Sequence, residues 1–396
     1  MKLPAMLKKL LKNLKSCCRS IFSVTELLLC KYLVSRKVRG YDDKILVIQD
    51  CHVGDFLVSL PFFQRMKKFY GRKLTLISDK RIVPLAMECG CFDEVIAFDM
   101  KRASSYKHIF YRWQTLRSLR KVSGQVLIQK YSVGGTVLED CMALIIQSPE
   151  KIGVDSDKTD SNGGGKFYGD LLRKNFGRMY KYDNAINLLA NENGLCNMIC
   201  SGNETDCVGN LECFEPLPDK EQDLGTYALF IVGADDPRRR WEPEKFAFVA
   251  EKFLLAKPEY KIIFTGSPSE REVINKVVSG IPRELKNRVI VRESCQDYLQ
   301  SIKRLFADVK YATIMLSGDT GPLHIAAKYN VKCVCISGVW HYNVWTPWQE
   351  YKNTVYLHGQ CDHTGCFGAC RYDAVPFKCL SQLSAERVWT ELEKHC

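Results

Sequence analysis

Residues 311–327, Tyr-Ala-Thr-Ile-Met-Leu-Ser-Gly-Asp-Thr-Gly-Pro-Leu-His-Ile-Ala-Ala, hold the densest set of side chains able to bind or react. An apolar run, Ala312 to Leu316, stops at the turn Ser317-Gly318-Asp319-Thr320-Gly321. Pro322 then opens an apolar-periodic segment that predicts a helix. Strand, small-residue turn and helix start bring backbone N–H groups and the positive end of a helix dipole to one place, where they can hold a phosphate. Gly318 and Gly321 let the backbone approach a ligand, and Asp319, Thr320 and His324 stand at the same edge. A lone histidine on a helix is commonly structural, but this one lies one turn inside a glycine-rich entry. The pattern points to a nucleotide or sugar-phosphate ligand.

Three further segments place polar side chains after apolar runs. His52-Val53-Gly54-Asp55 follows Lys44–Ile48, so Asp55 is either a helix N-cap or a carboxylate offered to a ligand. Gly233-Ala-Asp-Asp-Pro-Arg-Arg-Arg-Trp241 follows Tyr227–Val232. Its consecutive arginines, Arg239 and Arg240 among them, can neutralise a pyrophosphate with bidentate geometry, or form a solvated basic loop. Thr265-Gly266-Ser-Pro-Ser-Glu270 ends another run, where Glu270 can bind ribose hydroxyls or cap the next helix.

The elements that must carry these residues read as α/β. Lys44–Ile48 predicts a short buried strand and 55–70 a helix, with Phe56, Leu57, Leu60, Phe63, Met66 and Phe69 as its buried stripe. Leu74–Ile77 is the next strand. Strand, helix and parallel strand within about thirty residues make a βαβ unit, the opening of a doubly wound sheet. Further strands are expected at 94–97 and 125–129. The glycine-, aspartate- and serine-rich residues 153–170 read as an exposed loop, and the polar, proline-broken 201–225 as a linker. A second α/β pattern begins at Tyr227, with a helix at 243–256, strands at 261–265 and 288–291, a helix near 270–278 and a strand at 333–337. Two doubly wound units would place a ligand cleft between them, at the carboxyl ends of the strands. The division expected is an arm at 1–43, domains at 44–215 and 226–356, and a cysteine-rich segment with a C-terminal helix at 357–396.

The 396 residues carry a formal net charge of +12. Residues 1–44 hold 11 Lys+Arg and 3 Asp+Glu, a net of +8, which leaves +4 for the rest. Basic charge is thus a property of the arm. There Leu3, Met6, Leu7, Leu10, Leu11 and Leu14 fall at helical spacing, with Lys2, Lys8, Lys9, Lys12 and Lys15 on much of the other side. Such a helix suits an anionic membrane surface, or packs on the body with its lysines in water, and residues 21–34 can extend the contact. The body shows no basic stripe with interleaved aromatics, so nucleic acid is not an expected partner. No stretch is long and apolar enough to span a bilayer, and nothing resembles a cleavable leader. With 19 cysteines, an odd and scattered set, reduced thiols in the cytoplasm are expected. Cys361, Cys366, Cys370 and Cys379, near His358 and His363, do not follow a common zinc spacing. A structural role, as a disulfide or around an adventitious metal, is favoured over a catalytic one, with bound zinc the lesser reading.

Taken in order, these segments resemble glycosyltransferase family 9, the ADP-heptose:lipopolysaccharide heptosyltransferases and their relatives. The resemblance runs through Lys44–Ile48 with Gly54, Asp55 and Pro61, Ile152-Gly153-Val154, Arg239-Arg240-Trp241-Glu242-Pro243, Gly266–Glu270, Gly318–Ala327 and Trp345-Thr346-Pro347-Trp348. It implies a GT-B architecture of two Rossmann-like domains facing a central cleft, acceptor on the first and nucleotide-sugar donor on the second, with neither cofactor nor metal required. It implies one inverting displacement with Asp55 as general base. Arg239 stands where the family usually has a phosphate-binding lysine. Thr320 and Gly321 match its phosphate-contacting turn, Asp319 its contact to sugar hydroxyls, and Glu270 its ribose contact. Arg240 and His324 join the donor-side set. The basic arm, the Asn-Gly-Gly-Gly loop and Tyr131-Ser132-Val133 depart from the family pattern. An arm that binds an anionic membrane suits a lipid-linked saccharide acceptor at the inner face of the cytoplasmic membrane. A UDP- or GDP-hexose donor for another surface glycan, or a non-catalytic nucleotide-binding protein at the membrane, are the alternatives.

Overall fold

A computed structural model describes residues 21–32, 40–132, 135–156, 165–202, 209, 211, 214, 224–292, 297–340, 342, 344–366, 368, 370–372 and 374–396. The lysine-rich helix expected over residues 3–15 and most of the expected linker lie outside them. The residues fall into two compact units, one holding each sheet. The second unit also takes in residues 53–61 and 184–190.

The first sheet contains six parallel strands: β1 (Lys44–Ile48), β2 (Lys73–Asp79), β3 (Glu94–Phe98), β4 (Val126–Ser132), β5 (Glu150–Asp155) and β6 (Arg178–Lys181), in the order β3-β2-β1-β4-β5-β6. β1 is central because it can be: Ile45 to Ile48 are fully buried, and a strand flanked on both edges and covered on both faces needs an unbroken apolar run. Helices α1 (21–32), α2 (Val53–Tyr70), α3 (Ile109–Leu119), α4 (Val137–Ile145), α5 (Gly165–Arg173) and α6 (Leu188–Cys200) accompany this half of the chain; shorter helical turns are left unnumbered. Three differences from expectation have plain causes. β5 and α5 occupy the two ends of the segment expected as a loop, 153–170. Phe69 is 49% exposed, because the helix turns its last residues to solvent, while Val58, Ser59 and Phe62 join the buried side. Within the expected linker Leu211 and Phe214 are buried, and Phe214 packs edge-on against Phe306 at 5.2 Å.

The second sheet repeats the plan with β7 (Tyr227–Ile231), β8 (Lys261–Phe264), β9 (Val289–Val291), β10 (Ile314–Gly318), β11 (Lys332–Ile336) and β12 (Thr354–Leu357), ordered β12-β11-β10-β7-β8-β9. Counted from the first strand of each unit, both sheets follow the order 3-2-1-4-5-6. The order in which strands are added therefore reverses between β1 and β4, and again between β7 and β10, where doubly wound sheets bind ligands. Helices α7 (Pro243–Ala256), α8 (Arg271–Ser279), α9 (Tyr298–Lys310), α10 (Gly321–Lys328) and α11 (Ala385–Lys394) complete this unit. Its core runs through Phe230, Phe246, Phe253, Phe264, Leu316 and Val388. Among the described residues no helix is long and apolar enough to cross a membrane.

Candidate functional site

The turn between β10 and α10 lies at the switch point of the second sheet. Ser317 and Gly318 still pair with Cys335 and Ile336, so the turn shrinks to Asp319 and Thr320. Thr320 occupies the N-cap position with extended backbone, φ −143° and ψ 174°, yet its side chain makes no capping bond. Its buried Oγ1 has no hydrogen-bond partner among the described residues. A helix start with open N–H groups and an unused hydroxyl favours an anion.

Asp319 shares the turn and is almost buried, with 9% of its side chain exposed. Burial pushes its carboxyl above the usual carboxylate range, and the nearby Arg239 guanidinium and the Thr346 hydroxyl pull it back only partly. Arg239 donates from Nη2 to the Asp319 carbonyl and holds its Nη2 3.9 Å from Oδ2. Its guanidinium lies over Trp340, 5.4 Å from the ring centroid, and its buried Nε has no partner among the described residues. Thr346 Oγ1 reaches Asp319 Oδ2 at 3.5 Å and Ser337 Oγ at 3.0 Å.

The arginine loop does not act as a block. A 3-10 turn over Pro237–Arg239 sends its three guanidinium groups apart. Arg238 pairs with Asp236 at 2.6 Å, and Arg240 donates from Nε to the Ala234 carbonyl at 2.7 Å. Arg240 also lines an open pocket of about 340 Å³ with Pro237, Trp241, Glu272 and Lys276. Only Arg239 reaches the β10–α10 turn among these three.

Glu270 takes the capping role that the sequence left open. Its Oε2 accepts from Ser267 N at 2.7 Å and from Ser267 Oγ at 2.8 Å, completing a capping box. The same carboxylate lies over Gly233 at the end of β7: a Cβ there would come within 2.1 Å of Oε1. A side chain at 233 would displace the carboxylate from this position.

His324 is buried between aromatic rings. Nδ1 is 3.0 Å from the Tyr351 hydroxyl, and the ring centroid lies 5.2 Å from that of Trp348. Burial, with Lys328 and Arg239 adding to it, lowers its pKa to about 3, so the ring is neutral at physiological pH. Within the same unit Gly54 approaches α10. A Cβ at Gly54 would stand 3.3 Å from Gly321 Cα and 3.4 Å from His324 Cδ2. Asp55 follows as the third residue of α2, half-buried, its carbonyl accepting from Ser59 Oγ at 2.8 Å. Because α2 begins at Val53, the N-cap reading of Asp55 is set aside.

Trp340, Thr346, Trp348 and Tyr351 are the site residues to which sequence reasoning gives no role. Their signal is the aromatic-rich run after β11, of which the sequence pattern picks out only Trp345–Trp348. Of the structural roles left open for them, no disulfide joins Cys361, Cys366, Cys370 or Cys379 among the described residues. Cys361, Cys366 and Cys370 pack against the second core, of which Cys379 is part. Among the described residues no three His, Cys, Asp or Glu side chains group to hold a metal.

Residues 212–370 match the family model of glycosyltransferase family 9 (heptosyltransferase). Two lipooligosaccharide heptosyltransferase 2 proteins of Campylobacter jejuni are similar, one 26% identical over 159 residues and the other 27% over 154. These stretches cover 39% and 38% of this chain, and 46% and 44% of the relatives. The matched region therefore spans under half the length of those curated relatives. A family 9 glycosyltransferase from Veillonella parvula superposes with a TM-score of 0.66 at 19% identity, over 91% of this chain and 99% of that one. The E. coli heptosyltransferase WaaC, solved with ADP-2-deoxy-2-fluoro heptose, gives 0.64 at 18% identity, over 89% and 100%. These likenesses show the fold, two Rossmann-like domains of the GT-B kind.

Proposed function

We propose that this chain, whose residues 212–370 carry the match to glycosyltransferase family 9, transfers a heptose from ADP-heptose to a lipopolysaccharide-type, lipid-linked acceptor. The observation that carries the reading is the uncapped start of α10, with the Thr320 hydroxyl unpartnered among the described residues and Arg239 beside Asp319. The family match and the ADP-sugar with which WaaC was solved support it. In this reading the donor pyrophosphate rests on the N–H groups at Thr320 and Gly321, and Arg239 supplies the positive charge. Arg240, turned toward Ala234, adds charge at longer range. Asp319 receives sugar hydroxyls and Glu270 the ribose. His324, neutral and caged, sets the packing of the turn and does not offset charge.

The displacement is a single step. As the acceptor hydroxyl oxygen attacks the anomeric carbon, Asp55 accepts its proton. The bond from that carbon to the diphosphate oxygen breaks, and the charge left on the diphosphate falls to Arg239 and the α10 amides, already oriented before the step. The lysine-rich residues 1–20 bring the enzyme to an anionic membrane surface, where a lipid-linked acceptor resides. Thermal unfolding with ADP, UDP, GDP and CMP tests the donor assignment. A nucleotide at 100 times its Kd stabilises by about 2.7 kcal/mol, and ADP is expected to give the largest rise. Stabilisation by UDP or GDP without ADP would overturn it.

A further inference from the structure

Helix α1 is inverted with respect to an ordinary surface helix. The residues it buries are Ser23, Glu26, Leu27 and Cys30, spaced i, i+3, i+4 and i+7. Glu26, the only acidic residue in the first 41, lies on that buried side. Of the seven residues left open, five are apolar or aromatic, with Thr25 and Lys31 beside them: Ile21 is 63% exposed, Tyr32 77%, and Phe22, Leu28 and Leu29 each close to half.

A buried ion pair holds the helix in this orientation. Arg112 of α3 reaches both Glu26 oxygens, from Nε and, at 2.9 Å, from Nη2, and its Nη1 donates to the Ala103 carbonyl at 3.0 Å. Arg112 and Glu26 are 1% and 2% exposed. Taking a carboxylate out of water needs this degree of pairing. Leu27 and Cys30 join the first core with Leu116 and Leu119. The apolar face is therefore fixed outward by the fold.

The surface continues onto the neighbouring segment. Phe22 packs edge-on against Tyr106 at 4.9 Å, and four residues on Phe110 is 90% exposed. Apart from the buried Glu26–Arg112 pair, the described charges on these two segments are of one sign: residues 21–32 carry Lys31, and residues 100–121 carry six further Lys+Arg and no Asp or Glu. Exposed apolar side chains within a wholly basic frame match the anionic lipid interface, where apolar groups enter the acyl boundary and cations meet headgroups. A protein partner would need acidic residues to match that rim, and a second copy of this chain would bring like charge against like.

We infer that the exposed face of α1, with Phe110, is an insertion surface for an anionic bilayer, held in place by the Glu26–Arg112 pair. This deepens the membrane reading of the arm, to which it adds an apolar component that salt does not screen. Vesicle flotation tests it on the full chain, with vesicles of 30% phosphatidylglycerol in phosphatidylethanolamine, at low and high salt. The parent is expected to float at low salt and to stay partly bound at high salt. L28D/L29D and F110D, changed at exposed positions, are expected to keep the parent's circular dichroism and melting temperature. They should lose the salt-resistant fraction and bind at least about tenfold more weakly. Unchanged flotation of both variants would overturn the inference. If only K8Q/K9Q/K12Q lost binding, the face would be refuted while the arm reading stood. If neither set changed binding, both would fail. A parent dimer that L28D/L29D converts to monomer would also overturn it, by giving the face to a second copy.

Discussion

Gly233→Ala separates the two roles available to Glu270. The added Cβ would meet Glu270 Oε1 at 2.1 Å, Cδ at 2.2 Å and Cγ at 2.7 Å, whereas real Cβ contacts stay above 3.0 Å. The carboxylate must therefore retreat by roughly 1 Å. A shift of that size breaks the bonds it accepts from Ser267 N and Oγ, at 2.7 and 2.8 Å. Loss of a cap costs about 1 kcal/mol of stability. If the same carboxylate also holds the ribose, a charged hydrogen bond is lost as well, about 1.5–3 kcal/mol. That second loss weakens ADP binding roughly 10- to 150-fold. Titration calorimetry with ADP, beside thermal unfolding, reads the two effects apart. Glu270→Gln, which keeps the size and removes the charge, should weaken ADP binding in the same direction. Lower melting temperatures with unchanged ADP affinity in both variants would refute the ribose contact and leave Glu270 as a cap alone.

Other outcomes follow from burial. Burial raises Glu139 to about 7 against an ordinary 4.5, so its neutral form belongs to the fold. Its contribution is fully present below pH 4.5 and is lost as pH rises through 7; between pH 5 and 8 urea unfolding should show about 3 kcal/mol of decline that Glu139→Gln removes. The His324 ring protons should show no titration by NMR between pH 5 and 8, since its pKa lies near 3. Glu26→Ala strips the carboxylate from a buried Arg112, which keeps its bond to the Ala103 carbonyl, and should cost about 3–5 kcal/mol in urea unfolding. Glu26→Leu with Arg112→Met should recover much of that loss.

Much of the architecture is legible because buried parallel strands announce themselves. Ile45–Ile48, Tyr227–Ile231 and Ile314–Leu316 are unbroken apolar runs that end at turn residues, and each forms a central strand. β6 and β12 escape such a reading. β6 is Arg-Met-Tyr-Lys, and neither strand shows the continuous burial that writes an apolar run. α2 starts two residues earlier than its pattern suggests, since Val53 and Gly54 carry no capping signal. Directions of consecutive side chains are also out of reach. Arg238, Arg239 and Arg240 are alike in sequence, and only the 3-10 turn decides which of them meets Asp319. The cage around His324 depends on residues 24 and 27 positions later, brought back by β11 and the loop after it. A pairing across that distance leaves no local pattern to read.

Sugar transfer itself is the most direct test of the proposed reaction. The full chain, given ADP-heptose and a lipid-linked lipopolysaccharide-core acceptor, should add one heptose to the acceptor's mass for each ADP released. Asp55→Asn should bind ADP as the parent does and turn over at least about 100-fold more slowly. Equal turnover by parent and Asp55→Asn, or transfer from a UDP- or GDP-sugar but not from ADP-heptose, would contradict the account.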